Sequence, residues 1–241
     1  MNDNGDLREN DLLAALSDDS LQRLLPSLDP VVLPPGEILY NFGDELTHIY
    51  FPNRNTVVSF LCTTDDGIDV EVGLCGNEGA VGFNGLLGAQ TTSLQNLVQV
   101  PGTGTRLEIS AARKEFGLCG SFQDMVLRFA YSMFVQVSQT ALCNRVHSDE
   151  ERLARWLLLS DDRVKFRQLP LPRQLLAKLL GRNVSGASLT AGLLQQAGLI
   201  KYNGAELVIV DRERLESVAC SCYWVVRRHS CSVHEISNLK R

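Results

Sequence analysis

Apolar residues along this chain change their period midway. In the first half, short apolar runs at 31–33, 37–40, 49–51, 56–61, 70–72, 97–100 and 106–109 alternate with Pro34-Pro35-Gly36, Gly43-Asp44, Asp65-Asp66-Gly67 and Pro101-Gly102. Runs of that length between turn-forming clusters predict short strands, and their regular spacing predicts a small antiparallel barrel or roll. A glycine-rich span interrupts the series, with Gly76, Gly79, Gly82, Gly85 and Gly88 at every third position. Such density lets backbone amides converge on a ligand, and serves tight turns equally well.

From about residue 121 to 145 the pattern is helical: Phe122, Met125, Phe129, Met133, Gln136 and Thr140 trace a nearly heptad seam, backed by Val126 and Val137. A helix of this length between two domains is expected to pair with its copy in a dimer. The alternative is a core helix packed on its own roll. Residues 149–158 then open a further amphipathic helix with an acidic first turn, Asp149-Glu150-Glu151, which suits the positive end of a helix dipole.

The stretch 171–210 packs two short helices and a hairpin into one unit. After Pro172, Leu175, Leu176, Leu179 and Leu180 share a face, Ala177 is small enough for a close helix crossing, and Gly181 ends the helix. A second helix starts near Asn183, with Asn183 or Ser185 as cap and Ala187, Ala191 and Leu194 as its inward stripe. Lys201-Tyr202-Asn203-Gly204 followed by Leu207-Val208-Ile209-Val210 predicts a tight turn into a strand. Helix, turn, helix and wing in that order fit duplex DNA, whose major groove admits one helix while another braces it against the phosphates. A last helix is predicted from Arg212 to about Arg228, striped by Leu215, Val218, Cys222 and Val225 or Val226.

Charge supports that division. The net charge of −5 averages two unlike halves: residues 1–159 hold 10 Lys+Arg against 21 Asp+Glu, a balance of −11, whereas residues 160–241 hold 13 against 7, a balance of +6. The basic half contains the two-helix unit. With 241 residues, 44% hydrophobic and 21% charged, the chain suits a protein of two domains. No run approaches the length of a membrane span, and the acidic, polar MNDNGDLREN start is unlike a secretory signal, so a cytoplasmic location without membrane contact is expected. Seven scattered cysteines, at 62, 75, 119, 143, 220, 222 and 231, are expected to be buried thiols in a reducing compartment. Cys220 and Cys222 invite a metal reading, but His229, Cys231 and His234 are loosely spaced, so structural thiols and no metal are expected. His48, His147, His229 and His234 fall in separate elements and no nucleophile-elbow, phosphate-loop or zinc-hydrolase signature occurs, which argues against an enzyme.

The order of elements resembles the catabolite-activator and fumarate-nitrate-regulator (Crp/Fnr) superfamily over about residues 11 to 227. The resemblance rests on Leu33-Pro34-Pro35-Gly36-Glu37-Ile38-Leu39-Tyr40 with Gly43, on Val70-Glu71-Val72 leading to Gly76-Asn77-Glu78-Gly79 and Gly82, and on Leu180-Gly181 with Ala197-Gly198-Leu199-Ile200. It implies an α+β protein: a cyclic-nucleotide-binding-type antiparallel β-roll (a cupin-like double-stranded β-helix) at 11–118, a dimerisation helix and linker at 119–159, and a winged helix-turn-helix at 160–230. The implied function is that of a dimeric bacterial transcription regulator. Its partners would be promoter DNA, a second copy through the 121–145 helix, RNA polymerase and an unidentified small-molecule effector, with no cofactor.

Departures narrow that expectation. Family members that bind cyclic nucleotides use a Gly-Glu pair and an Arg-Ser or Arg-Thr step, where this chain has Gly82-Phe83 and Leu94-Gln95. A cyclic phosphate would lose its cation partner, so tight binding of cAMP is not expected. The effector pocket is expected at Gly76, Glu78, Gly79, Gly82, Phe83, Leu94 and Gln95. Nor does the N-terminus carry the cysteines of iron-sulfur members, since the first is Cys62. In the reading helix, Val184, Ser185 and Leu189 stand where the family commonly has Arg and Glu, and Thr190 takes a usually apolar slot. Arg182, Asn183, Ser185 and Ser188 are expected to face DNA, with Lys178 and Lys201 near phosphates. The alternative is a ligand- or protein-binding module whose winged domain has lost sequence-specific DNA binding.

Overall fold

The computed structural model describes residues 7–65, 67, 69–164 and 168–230. Two short helices, α1 (Asp11–Ala14) and α2 (Asp18–Leu24), precede seven strands: β1 (Leu28–Leu33), β2 (Ile38–Tyr40), β3 (His48–Pro52), β4 (Val57–Thr63), β5 (Asp69–Cys75), β6 (Gln95–Val100) and β7 (Gly102–Glu108). They form two antiparallel sheets, ordered β1-β7-β3 and β2-β6-β4-β5. All seven strands overlap the apolar runs read from the sequence, because turn clusters bracket each run.

The opening helices escaped that reading, being too short for a period to show. Asn10 explains their position. Its side-chain carbonyl caps α1 by accepting from the Leu12 and Leu13 amides, while its Nδ2 donates to the carbonyls of Pro52 and Gly79 at 2.8 and 3.0 Å. A cap that also satisfies two distant carbonyls pins the helix to the roll.

Strand β4 is buried on both faces from Val57 to Leu61. Val58 and Phe60 point into the roll with Ile49, Phe51 and Val98, whereas Val57 joins Leu74 and Val100 in a second core shared with the C-terminal half. The outer face of the four-stranded sheet is therefore not solvent-facing; the following helices cover it.

After α3 (Ile109–Phe116) comes the long helix α4 (Ser121–Val146), 26 residues. Its structure corrects the expected dimer seam. Phe122, Met125, Val126, Phe129 and Met133 belong to the roll's own core. Gln136 brackets the Leu74 peptide, accepting from its amide at 2.9 Å and donating to its carbonyl at 3.0 Å, and Thr140 accepts from Arg155. Phe122 to Gln136 thus bind the roll of their own chain, and Thr140 meets its own α5. Leu127, Tyr131, Phe134, Val137, Leu142 and Val146 are exposed instead, Phe134 at 70%. Both faces of α4 are apolar, so periodicity alone could not say which one the chain covers.

Helix α5 (Asp149–Asp161) begins with a capping box: Ser148 accepts from the Glu151 amide and the Glu151 carboxylate accepts from the Ser148 amide. Its residues Arg152 to Ser160 are all buried, because α5 lies between the roll and the C-terminal unit. That unit comprises β8 (Gln168–Pro170), α6 (Arg173–Leu180), α7 (Val184–Gln196), β9 (Ile200–Tyr202) and β10 (Glu206–Ile209), with a sheet ordered β8-β10-β9. Strand β8 was not foreseen, since Gln-Leu-Pro carries no strand pattern. The single helix expected at the C-terminal end is two, α8 (Arg212–Val218) and α9 (Cys222–Arg228), separated where Ala219 turns extended at φ −63°, ψ 142°. Leu215, Cys222 and Val226 are buried as the stripe implied; Cys231 and His234 lie outside the described residues.

Candidate nucleic-acid interface

The two-helix unit is built as its pattern predicts. Leu175, Leu176, Leu179, Leu180 and Ala177 of α6 are buried against Ala187, Ala191 and Leu194 of α7 in one core. Gly181 closes α6 at φ +59°, the left-handed conformation a helix C-cap needs. Asn183 caps α7, its Oδ1 accepting from the Gly186 amide at 2.8 Å and from the Ser185 hydroxyl at 3.0 Å. Thr190 is tolerated in its buried slot because its hydroxyl donates to the Gly186 carbonyl at 3.2 Å.

Of the residues expected at DNA, Arg182, Asn183 and Ser185 are exposed together at the start of α7, and Lys201 is exposed on the wing strand β9. Ser188 is removed from that group. It is half-buried, and its hydroxyl oxygen is shielded without a partner among the described residues. The two remaining cations are engaged elsewhere. Arg182 Nε donates to Asp149 at 2.8 Å, and Lys178 Nζ lies 2.5 Å from Asp69 on β5 of the roll. Asp149 draws the Arg182 guanidinium above its usual pKa. Burial works to raise Asp69, yet Lys178 and Thr63 together hold it below the ordinary carboxylate value. Between Asp149 and Glu150 in the first turn of α5 and the Arg182, Asn183 and Leu189 side runs a groove of about 660 Å³.

The outward face of α7 is apolar. Val184, Leu189 and Leu193 are exposed, Leu189 at 68%, and the helix sequence VSGASLTAGLLQQ contains no charged residue. Sequence reasoning overlooked the acidic partners Asp149 and Asp69. Asp149 was legible as an acidic first turn, but its reach to Arg182 depends on α5 folding back on the turn between α6 and α7.

The expected effector-pocket residues line neither the groove at Arg182 nor the cavity of about 620 Å³ beside Glu45 and Glu108. Glu78 turns towards α5, forming an ion pair with Arg163 at 2.7 Å with both side chains buried, and accepts from the Gly76 amide. Gly79 is so close to Phe129 that a Cβ would sit 2.0 Å from its ring, which explains the glycine by packing. Phe83 meets the same ring edge-on at 5.0 Å between centroids. Gln95 donates to Asn41 and the Leu94 amide to Thr92. Asp29 and His48 also line that cavity.

An antiparallel roll, a long helix and a winged helix-turn-helix give this chain the fold of solved regulators of the Crp and Fnr type. Residues 151–218 match the Crp-like helix-turn-helix domain family. Similar solved structures include FixK2 from Bradyrhizobium japonicum, at 17% identity and TM-score 0.68 over 80% of this chain and 98% of that one. The c-di-GMP responsive global regulator CLP of Xanthomonas campestris is 18% identical, TM-score 0.66, over 80% and 99%. A CooA variant from Carboxydothermus hydrogenoformans is 14% identical, TM-score 0.59, over 84% and 96%. No curated protein matches the chain. No helix among the described residues is long and apolar enough to cross a membrane.

Proposed function

We propose that this protein is a dimeric transcription regulator that places the start of α7 in the major groove of promoter DNA from each of two chains. The observation that carries the reading is the exposed cluster Arg182, Asn183 and Ser185 at the N-terminus of a winged helix-turn-helix of Crp type. Arg182 suits guanine, the Asn183 Nδ2 is left to donate to a base or phosphate while its Oδ1 caps α7, Lys178 and Lys201 suit phosphates, and exposed Val184 and Leu189 suit thymine methyls. In the conformation seen, Asp149 and Asp69 hold two of the cations. DNA phosphates must therefore compete with these carboxylates, which makes the DNA-free state partly self-neutralised.

The exposed stripe of Leu127, Tyr131, Phe134 and Leu142 supports pairing through α4. Their steps of four, three and eight residues keep them on one face of the helix. The signal sensed by the roll is a ligand other than cAMP. Glu78 is spent on Arg163, and the open cavity is lined by Asp29, Glu45 and Glu108, which repel a phosphate.

A second reading has its own observation: α7 has no charged residue and exposes three large apolar side chains, as a protein-binding helix would. Titration of the full chain against varied duplexes at two salt concentrations separates the two. Sequence discrimination that survives added salt supports the regulator; salt-sensitive binding without discrimination supports the second reading.

A further inference from the structure

We propose that Cys143, His147, Cys220 and Cys222 form a site for one thiophilic divalent cation, Zn2+ by its donor set. Cys143 lies in the last turns of α4 and His147 is that helix's C-cap, one turn apart on the same face. Cys220 and Cys222 come from the break between α8 and α9, where the extended Ala219 lets both thiols approach from the opposite side. The four donor atoms all lie within 4.8 Å of one another; Cys143 and Cys220 sulfurs are 3.5 Å apart, and Cys222 sulfur is 3.7 Å from His147 Nδ1. Ligands of a tetrahedral zinc, with Zn–S of about 2.3 Å and Zn–N of about 2.0 Å, stand roughly 3.5–3.8 Å apart. The shorter separations already meet that geometry, and the longest requires a closure of about 1 Å.

Alternatives fit the cluster less well. Cys143 and Cys220 are free thiols 3.5 Å apart, and a disulfide between them would leave a third buried thiol and an imidazole unused. An iron-sulfur cluster spreads its ligands over several irons and needs them farther apart. As apolar filling the group is odd, because the three buried thiols touch one another in a cluster separate from both hydrophobic cores. Charge also balances. Three thiolates and Zn2+ leave one net negative charge, and the buried Arg155 beside them supplies one positive charge, with its Nε lacking a partner among the described residues. His147 is half-buried while the sulfurs are buried, so the ion has an entry from the histidine side.

The site bridges the end of α4 to α9, one residue before the Ser148 cap of α5. A bound ion would thus tie the end of α4, just before α5, to the start of α9. Any effect on DNA affinity rests on the regulator reading; the metal site does not.

The test is a Co2+ titration of the full-length chain, reduced and stripped with a chelator, followed by absorption. Saturation at about one Co2+ per chain, with thiolate-to-cobalt charge transfer and intense tetrahedral visible bands lost on adding Zn2+, is the expected result. Cys220→Ser and Cys143→Ser should lose the thiolate signal, and Cys62→Ser should keep it. Absence of a thiolate–cobalt band in the unsubstituted protein overturns the site, as does a band undiminished in both Cys143→Ser and Cys220→Ser. No DNA enters the titration, so its failure is separate from failure of the regulator reading.

Discussion

At the scale of single residues, the account turns on which partner each charge keeps. Arg182 is shared between Asp149 and the groove it would read. Arg182→Ala is predicted to weaken duplex binding about tenfold or more, measured by fluorescence anisotropy. Asp149→Asn should leave binding equal or stronger, because it frees the guanidinium. Glu71 is a different case. Buried beneath α5, with Trp156 Nε1 donating to it at 2.6 Å, it is pushed by burial from 4.5 up to about 8. A carboxyl raised in the folded state binds its proton there while the unfolded chain has lost it. The contribution of Glu71 to stability is therefore fully present below pH 4.5 and is lost as pH rises towards 8. Glu71→Gln should flatten that fall in urea unfolding between pH 5 and 8, by something on the order of a few kcal/mol. An unchanged slope would remove Glu71 from the explanation. Reading such residues from sequence fails for one reason: Arg182 was visible as a cation before a helix, whereas Asp149 and Trp156 become partners only through tertiary packing.

Individual elements show where patterning is sufficient. Strands β1 to β7 were legible because turn residues bracketed each apolar run, and helices α6 and α7 because each carries one buried stripe. Gly181 is the clearest instance. With φ at +59° and only ordinary contact to Val70, Gly181→Ala should cost about 1–2 kcal/mol through backbone strain alone, checked by thermal unfolding. Helix α4 shows where patterning runs out. Its apolar positions cover two faces, and a heptad count chose the one that packs on the roll. Gln136 was the overlooked signal, since a buried amide facing a strand end fits a satisfied backbone pair better than a symmetric seam. The exposed stripe yields the opposite assignment. Phe134→Glu should shift the chain towards monomer in analytical ultracentrifugation, while Met133→Ala should lower stability without dissolving the dimer. The thiol cluster failed to emerge for a related reason: Cys143 and His147 are one turn apart, but the other two ligands come from a helix break some seventy residues later.

For the whole molecule, the winged unit is not a free appendage. Its core extends through Val57, Leu74 and Val100 onto the roll, and the pairs Lys178–Asp69 and Glu78–Arg163, with the Trp156–Glu71 bond, fasten the roll to the segment around α5 and α6. On the proposed reading, a signal in the roll would reach α7 through these packed contacts rather than a loose linker. If the chain binds DNA as proposed, the charge division of −11 and +6 would steer the basic half towards the phosphates. The most direct test of the central claim is selection of bound sites from a random duplex library by the full-length protein, with its mass in solution measured alongside. The account predicts a dimer that enriches two related half-sites about 10 base pairs apart, with affinity falling as salt rises. A monomer that enriches no sequence even at low ionic strength would contradict it.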